Sequence, residues 1–167
     1  VLITGLVFHQ TNVLGEIGYT NAGAAAMFLP QAIGAIGGGL AFGWACDHRG
    51  RFLTPAAVAA LLAISCLLGG LGASTGAVFA YSIGLGVCTG GGAAVNGTLL
   101  PALFGLRRIG AVSGLLRVIS VMSSALGPLA FSIGAHVFGT YRDALAVFAT
   151  WPVALVVVAV IWRPGSS

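Results

Sequence analysis

Hydrophobic residues occur in long, almost unbroken runs, and short segments between the runs hold most of the charges. Most of the runs are long enough to cross a hydrocarbon core of ~30 Å, which takes ~20 helical residues. Unpaired backbone groups are too costly in lipid, and no alternating strand pattern is visible, so each run predicts a helix. The six predicted spans are Val1–Leu14, Asn21–Cys46, Leu53–Gly72, Gly76–Leu103, Gly110–Phe138 and Ala144–Trp162. The sequence therefore predicts an all-α integral membrane protein in which residues 1–167 form a single six-helix bundle.

Polar residues are unevenly distributed among these spans. The third and sixth spans are apolar on nearly every face, as suits helices that border lipid, whereas polar residues within a membrane need water or protein beside them. The first, second, fourth and fifth spans carry His9, Gln10, Asn12, Gln31, Asn96, Arg117 and several serines. We therefore predict two inverted three-helix repeats, each ending in a peripheral helix, with the other four helices around a cavity.

Composition supports the membrane assignment. Of the 167 residues, 58% are hydrophobic and 6% are charged, against about 25% charged residues in soluble domains. The formal charge of +4 comes from arginines that are scattered in short loops, so no basic face for nucleic acid is expected. The 27 glycines lie among apolar residues, which is typical of closely packed membrane helices.

Arginine positions predict the orientation of the chain. The loops on one side, together with the tail, hold Arg49, Arg51, Arg107, Arg108 and Arg163. Among the loop arginines, only Arg142 lies on the opposite side. Because the cytoplasmic loops of membrane proteins are enriched in Lys and Arg, the C-terminus is predicted to be cytoplasmic.

Two further features bear on the chain as a whole. Cys46, Cys66 and Cys88 are odd in number and widely spaced within apolar runs, so we interpret them as small buried residues. The chain begins at Val1, inside an apolar segment and without an initiator Met, so we expect an N-terminal part of the protein to precede it.

The loop between the second and third spans contains a compact motif. It reads Gly43-Trp-Ala-Cys-Asp47-His-Arg49-Gly50-Arg51. A glycine lets two helices approach, an aspartate at a helix end can pair with a nearby arginine or face a helix N-terminus, and a second glycine allows a tight turn. The motif resembles the G-x-x-x-D-R-x-G-R signature of the major facilitator superfamily. In that family it lies in the cytoplasmic loop after the second helix of each half. His48 replaces the first arginine, and Phe52 stands where another basic residue is common.

The resemblance covers the whole chain. The stretches Phe104–Gly114 and Ala125–Pro128 look like the region from the tenth to the eleventh helix of bacterial members, and Gly139–Arg142 resembles the loop before the last helix. The fourth span lacks the intramembrane arginine that is usual in N-terminal halves, so the resemblance implies a C-terminal half. It further implies an inner-membrane location, a lipid bilayer and a small-molecule solute as partners, an N-terminal half of the same transporter, and a gating role for the loop motif.

Arg117 is the most informative single residue. It follows Arg108 by nine positions, which is ~13 Å along a helix. An arginine near mid-membrane costs at least ~2.5 kcal/mol and is usually functional. Ser113, Arg117, Ser120 and Ser124 recur at helical spacing on one face. This face predicts either an anion site for a substrate carboxylate or an arginine that snorkels or pairs with a group in the other half.

Other polar residues complete the predicted solute site. The full set is Arg117, His9, Gln10, Asn12, Gln31, Asn96, Ser120 and Ser124. His9 and Asn12 share a helix face and serve either the solute or hydrogen bonds between helices. His9 can also carry a coupling proton. Glu16, Asp47 and Asp143 all lie at span ends, so a carboxylate for proton coupling would have to come from the other half.

Several chemistries find no support in the sequence. The glycine-rich run Thr89–Thr98 lacks the lysine and the spacing of a phosphate-binding loop.

The glycine pairs Gly34/Gly38, Gly39/Gly43, Gly86/Gly90 and Gly110/Gly114 predict close helix packing. Pro30 and Pro128 predict kinks in the second and fifth spans.

With no nucleophile–base pair, metal-ligand cluster or paired carboxylates, the sequence predicts no enzyme, no metal and no cofactor.

The sequence therefore predicts secondary active transport of a small solute, with a small organic anion as the first choice. Alternating access would require the second half, so the chain alone is expected not to transport. The alternative is a six-helix membrane module with a structural or accessory role.

Overall fold

In the computed structural model, the described residues are 2–48, 53–71, 74–105, 107–140, 144 and 147–161. Nearly all of them are helical, and none of them forms a strand. The helices are α1 Leu2–Gly15, α2 Asn21–Ala26, α3 Phe28–His48, α4 Leu53–Leu71, α5 Thr75–Phe104, α6 Ile109–Phe138 and α7 Thr150–Ile161. The all-helical prediction is confirmed for this part of the chain.

Three of the described helical segments are long and apolar enough to cross a membrane. They are Asn21–His48, which joins α2 and α3, then α5 and α6. α1 has 14 residues and α7 has 12, which is shorter than the ~20 residues of a full span. In α4 the described apolar stretch is Ala57–Leu68. These lengths support membrane association, and the complete six-span arrangement stays a prediction.

The predicted second span is divided into two helices at Met27. Pro30 has no N–H, so the carbonyl of Ala26 loses the helical hydrogen bond that residue 30 would normally donate. The Met27 N–H bonds back to Ala24 at 3.2 Å, and the helical pattern resumes when the Gln31 N–H bonds to the Met27 carbonyl at 3.3 Å. Pro128, by contrast, lies within the continuous helix α6.

α5 is the central helix and packs most extensively against α3. Four glycines form this interface because their backbones touch the facing helix directly. A Cβ at Gly34 or Gly38 would collide with the backbone of α5, and a Cβ at Gly86 or Gly90 would collide with the backbone of α3. Small residues allow this approach in membrane-type packing. Two of the predicted glycine pairs therefore build one interface.

The other two glycine pairs do not pack in this way. A Cβ at Gly43, Gly110 or Gly114 would meet no atom within 4 Å. A Cβ at Gly39 would make only ordinary contact, 3.8 Å from the Gly90 carbonyl oxygen, although the backbone nitrogen of Gly39 itself lies against Gly90. The expectation that Gly43 brings two helices together is therefore not met in the described part of the chain.

Two buried clusters tie α1 to α5. Leu6 packs with Tyr81, Leu85 and Cys66, and Leu14 packs with Val78. α7 packs mainly against α4, and α4 in turn packs against α5. α4 also buries Ala63, Ser65 and Cys66, so the predicted third span has one interior face. All three cysteines are free and buried, which confirms the expectation for them.

Candidate functional site

A cleft of about 460 Å³ lies between the C-terminal part of α5 and the N-terminal half of α6. Its lining consists of Asn96, Leu100, Ser113, Gly114, Leu116, Arg117 and Ser120. Residues 113, 117 and 120 come to one face because a helix turns every 3.6 residues. The cleft therefore brings together three of the predicted site residues, which are Arg117, Ser120 and Asn96.

The cleft exists because α6 packs against α1 and makes little contact with α5. Side-chain hydrogen bonds join α1 to α6: the hydroxyls of Thr4 and Ser124 are 3.4 Å apart, and His9 Nε2 lies 3.1 Å from the Pro128 carbonyl oxygen. Both attach the C-terminal half of α6. The N-terminal half, which carries Arg117, consequently faces open space.

The electrostatic character of the cleft is cationic. The Arg117 side chain is exposed, and no described carboxylate forms an ion pair with it. Of the described acidic residues, Glu16 lies just after α1 and Asp47 lies in the last turn of α3. A guanidinium offers five donors in a planar fork, which match a carboxylate. Asn96 and the two serines add neutral hydrogen-bonding groups, so the cleft is chemically suited to a small oxyanion.

His9 takes part in the contact between α1 and α6. Its Nε2 bonds to the Pro128 carbonyl oxygen, and Asn12 Nδ2 lies 3.2 Å from its Nδ1. A neutral imidazole that donates from Nε2 and accepts at Nδ1 satisfies both contacts. The structure therefore places His9 and Ser124 in hydrogen bonds between α1 and α6, outside the described lining of the cleft.

Gln10 lies in the interior, away from the cleft. It is fully buried, and neither heteroatom of its amide has a hydrogen-bond partner among the described residues. Leu6 and Leu14, one turn away on either side, pack against α5. The hydroxyls of Tyr81 and Ser82 on α5 are also buried without a described partner. Sequence reasoning did not identify Tyr81 and Ser82, because nothing in their spacing separates them from core residues.

Gln31 lines a second, smaller cleft of about 220 Å³ between α3 and α5. Its lining consists of Phe28, Gln31, Ala32, Ala35, Gly86 and Thr89. Thr89 Oγ1 donates to the Leu85 carbonyl oxygen at 2.8 Å, and Gln31 Oε1 has no described partner. Thr89 was overlooked in the sequence because it opens the glycine-rich run. The available signal was its seven-residue spacing from Asn96, which is two helical turns.

The loop motif is only partly described. Gly43 and Asp47 lie in the last turns of α3, and Asp47 is exposed. Arg49, Gly50 and Arg51 lie outside the described residues, so whether Asp47 pairs with a nearby arginine or faces a helix N-terminus stays a prediction. The His48 ring stacks on Trp44 at 4.7 Å, and its Nδ1 bonds to the Trp44 carbonyl oxygen at 2.9 Å. This local contact satisfies one of the last carbonyl groups of α3.

Within the part of the chain that the structure describes, no group of three or more His, Cys, Asp or Glu side chains is placed to hold a metal ion. Comparisons with protein-family models, with curated proteins and with solved structures found no match to this chain.

Proposed function

We propose that this chain is a six-helix half of a secondary transporter of the major facilitator type, and that its cationic cleft binds a small organic anion. The observation that carries the proposal is the convergence of Arg117, Ser113 and Ser120 from α6 with Asn96 from α5 around one cleft. No described carboxylate neutralises the guanidinium. A cleft of this kind attracts carboxylates and repels cations.

Features outside the cleft also support the proposal. Three helical segments are long and apolar enough to span a membrane. The arginine distribution predicts one orientation for the chain, with the C-terminus in the cytoplasm. Much of α6 is apolar and exposed, including Leu115, Val121 and Met122, so this helix suits lipid or a second half as its neighbour. A second half that packs there would close the cleft from one side, as alternating access requires.

The binding chemistry follows from the residues of the cleft. The guanidinium fork would hold the carboxylate through two parallel hydrogen bonds, while Asn96 and the serines orient the rest of the solute. When the second half covers the cleft, water leaves it and the ion pair strengthens, because the effective dielectric constant falls. When the cover opens toward the other side, water returns and the solute dissociates.

The test is the uptake of a panel of monocarboxylates and dicarboxylates by cells that express the complete gene product. Arg117→Gln should reduce apparent affinity on the order of 10- to 100-fold, because it removes a charge-assisted pair worth ~1.5–3 kcal/mol. Arg117→Lys keeps the charge but loses the fork, so it should weaken uptake without abolishing it. The matched control is Arg107→Gln, which removes an exposed arginine outside the cleft.

The amount of inserted protein is measured for each variant by fluorescence size-exclusion chromatography. Wild-type uptake by a normally inserted Arg117→Gln protein would contradict the anion assignment. If the complete protein takes up no acid in the panel and no other small solute, the transport proposal fails, and the alternative of a structural or accessory module takes its place.

A further inference from the structure

We propose that the solute is an elongated anion that occupies both clefts, with its carboxylate at Arg117 and a hydrogen-bond donor at Thr89 and Gln31. This inference rests on the proposed function, because it takes the Arg117 cleft as the anion site. It adds the length of the solute and the chemistry of its far end.

The two clefts lie along the same face of α5. Thr89 lines the smaller cleft and Asn96 lines the larger one. They are seven residues apart, which brings the second side chain to within ~20° of the first around the helix axis and ~10 Å along it. A solute that contacts both residues must therefore be extended over about that distance.

The face of α5 between the clefts carries only small residues. Ala93 lies four positions after Thr89 and three before Asn96, so it shares their face, and its side chain is exposed. The neighbouring Gly92 is also unobstructed, since a Cβ there would meet no atom within 4 Å. No α5 side chain larger than a methyl group therefore separates the two clefts.

The polar groups of the smaller cleft favour a solute that carries a hydrogen-bond donor at this end. The Thr89 hydroxyl donates its hydrogen bond to the Leu85 carbonyl oxygen, so the hydroxyl oxygen can still accept a hydrogen bond from a solute. Gln31 lines the same cleft, and its Oε1 is buried there without a described partner, which makes it a second acceptor. A hydroxyl or amino group on the solute would satisfy both oxygens. The cleft volume of about 220 Å³ limits this end of the solute to one small ring or a short chain, which would pack beside Phe28.

The test compares three acids in cells that express the complete gene product. ω-Hydroxyoctanoate has a carboxylate, sufficient length and a terminal donor; octanoate lacks the donor; and γ-hydroxybutyrate lacks the length. Competition against a transported acid gives their relative affinities. We expect ω-hydroxyoctanoate to bind about fivefold to tenfold more tightly than either of the others, because one additional hydrogen bond is worth ~1 kcal/mol.

A substitution between the clefts provides the structural control. Ala93→Leu fills open space, so it should leave folding intact while removing the advantage of ω-hydroxyoctanoate and sparing γ-hydroxybutyrate. Ala80→Leu makes the same change at another exposed alanine of α5, on a different face, and should have no effect. Thr89→Val should lower the affinity for ω-hydroxyoctanoate alone.

The two proposals fail in different ways. If the three acids bind equally, or if Ala93→Leu leaves their ranking unchanged, the two-cleft inference is overturned. A loss of affinity for all three acids in Arg117→Gln, on the order of 10- to 100-fold, would still support the anion site. If Arg117→Gln binds all three acids like the wild type, the anion site itself is overturned.

Discussion

α5 and α6 look almost interchangeable in the sequence, yet they occupy opposite environments. Each has 30 residues and an internal proline, and both are apolar enough to span a membrane. Half of the most apolar window of α5 is buried, whereas the corresponding window of α6 contains no buried residue. Hydropathy therefore shows that both helices are apolar enough to span a membrane, without showing which one is central.

Glycine placement accounts for the difference. In α5, Gly86 and Gly90 allow the backbone of α3 to come into direct contact, and Gly84 lies against the Ser65 side chain of α4. In α6, Gly110 and Gly114 face open space. α6 is instead held to α1 by side-chain hydrogen bonds in its C-terminal half. The helix that carries Arg117 is thus the less firmly anchored one, as suits a helix that lines an open cleft.

The largest effect should come from the interface between α3 and α5. Gly90→Leu places a side chain where the Ala35 carbonyl oxygen now lies, so the two helices must separate. We expect a loss of about 3 kcal/mol or more in the free energy of unfolding, which corresponds to strong overpacking. Thermal unfolding in detergent measures it.

Gly114→Leu is the matched control on α6, because a Cβ at that position meets no atom within 4 Å. Its stability should stay within ~0.5 kcal/mol of the wild type. Equal destabilisation by the two substitutions would contradict the contrast between the helices.

An intermediate effect is expected where α6 meets α1. His9→Leu removes the bond to the Pro128 carbonyl oxygen and the contact with Asn12. Hydrogen bonds between membrane helices contribute ~0.6–1.7 kcal/mol, so we expect a loss of about 1.5 kcal/mol. His9→Gln can still donate to the carbonyl and should recover most of this loss in the same unfolding assay. If His9→Leu is as stable as the wild type, another contact holds α6 in place.

The smallest effect concerns how the two helices begin. The Ser74 hydroxyl oxygen accepts a hydrogen bond from the Ala77 N–H at 3.2 Å and caps α5, whereas Arg108 precedes α6 without a side-chain cap. Ser74→Ala should cost ~0.5 kcal/mol, the lower end for an N-cap. Ser74→Asp should keep the stability of the wild type, since aspartate caps equally well. Hydrogen exchange in the first turn of α5 reports the loss locally, and unchanged exchange in Ser74→Ala would show that the cap contributes nothing.

Much of the cleft could be predicted because its α6 side depends only on helical periodicity. Ser113, Arg117 and Ser120 share a face in any helix that includes them. Asn96 was recognised as polar, but its position opposite Arg117 depends on how α5 and α6 diverge. His9 has the chemistry of a site residue, yet the Pro128 carbonyl oxygen lies within reach and accepts a hydrogen bond from its Nε2–H. No rule of spacing within α1 could have indicated that contact.

The sequence by itself determined that the chain is helical and apolar, where most helices begin and end, and which residues share a helix face. These properties follow from local hydrogen bonding and from composition, and both can be read along the chain. Only the tertiary structure decided that α5 is central, that α6 is exposed, and that Thr89 and Asn96 border two clefts on one face. In helices that are apolar on all sides, the choice of neighbour depends on which glycines meet a facing backbone, and that is a property of two segments together.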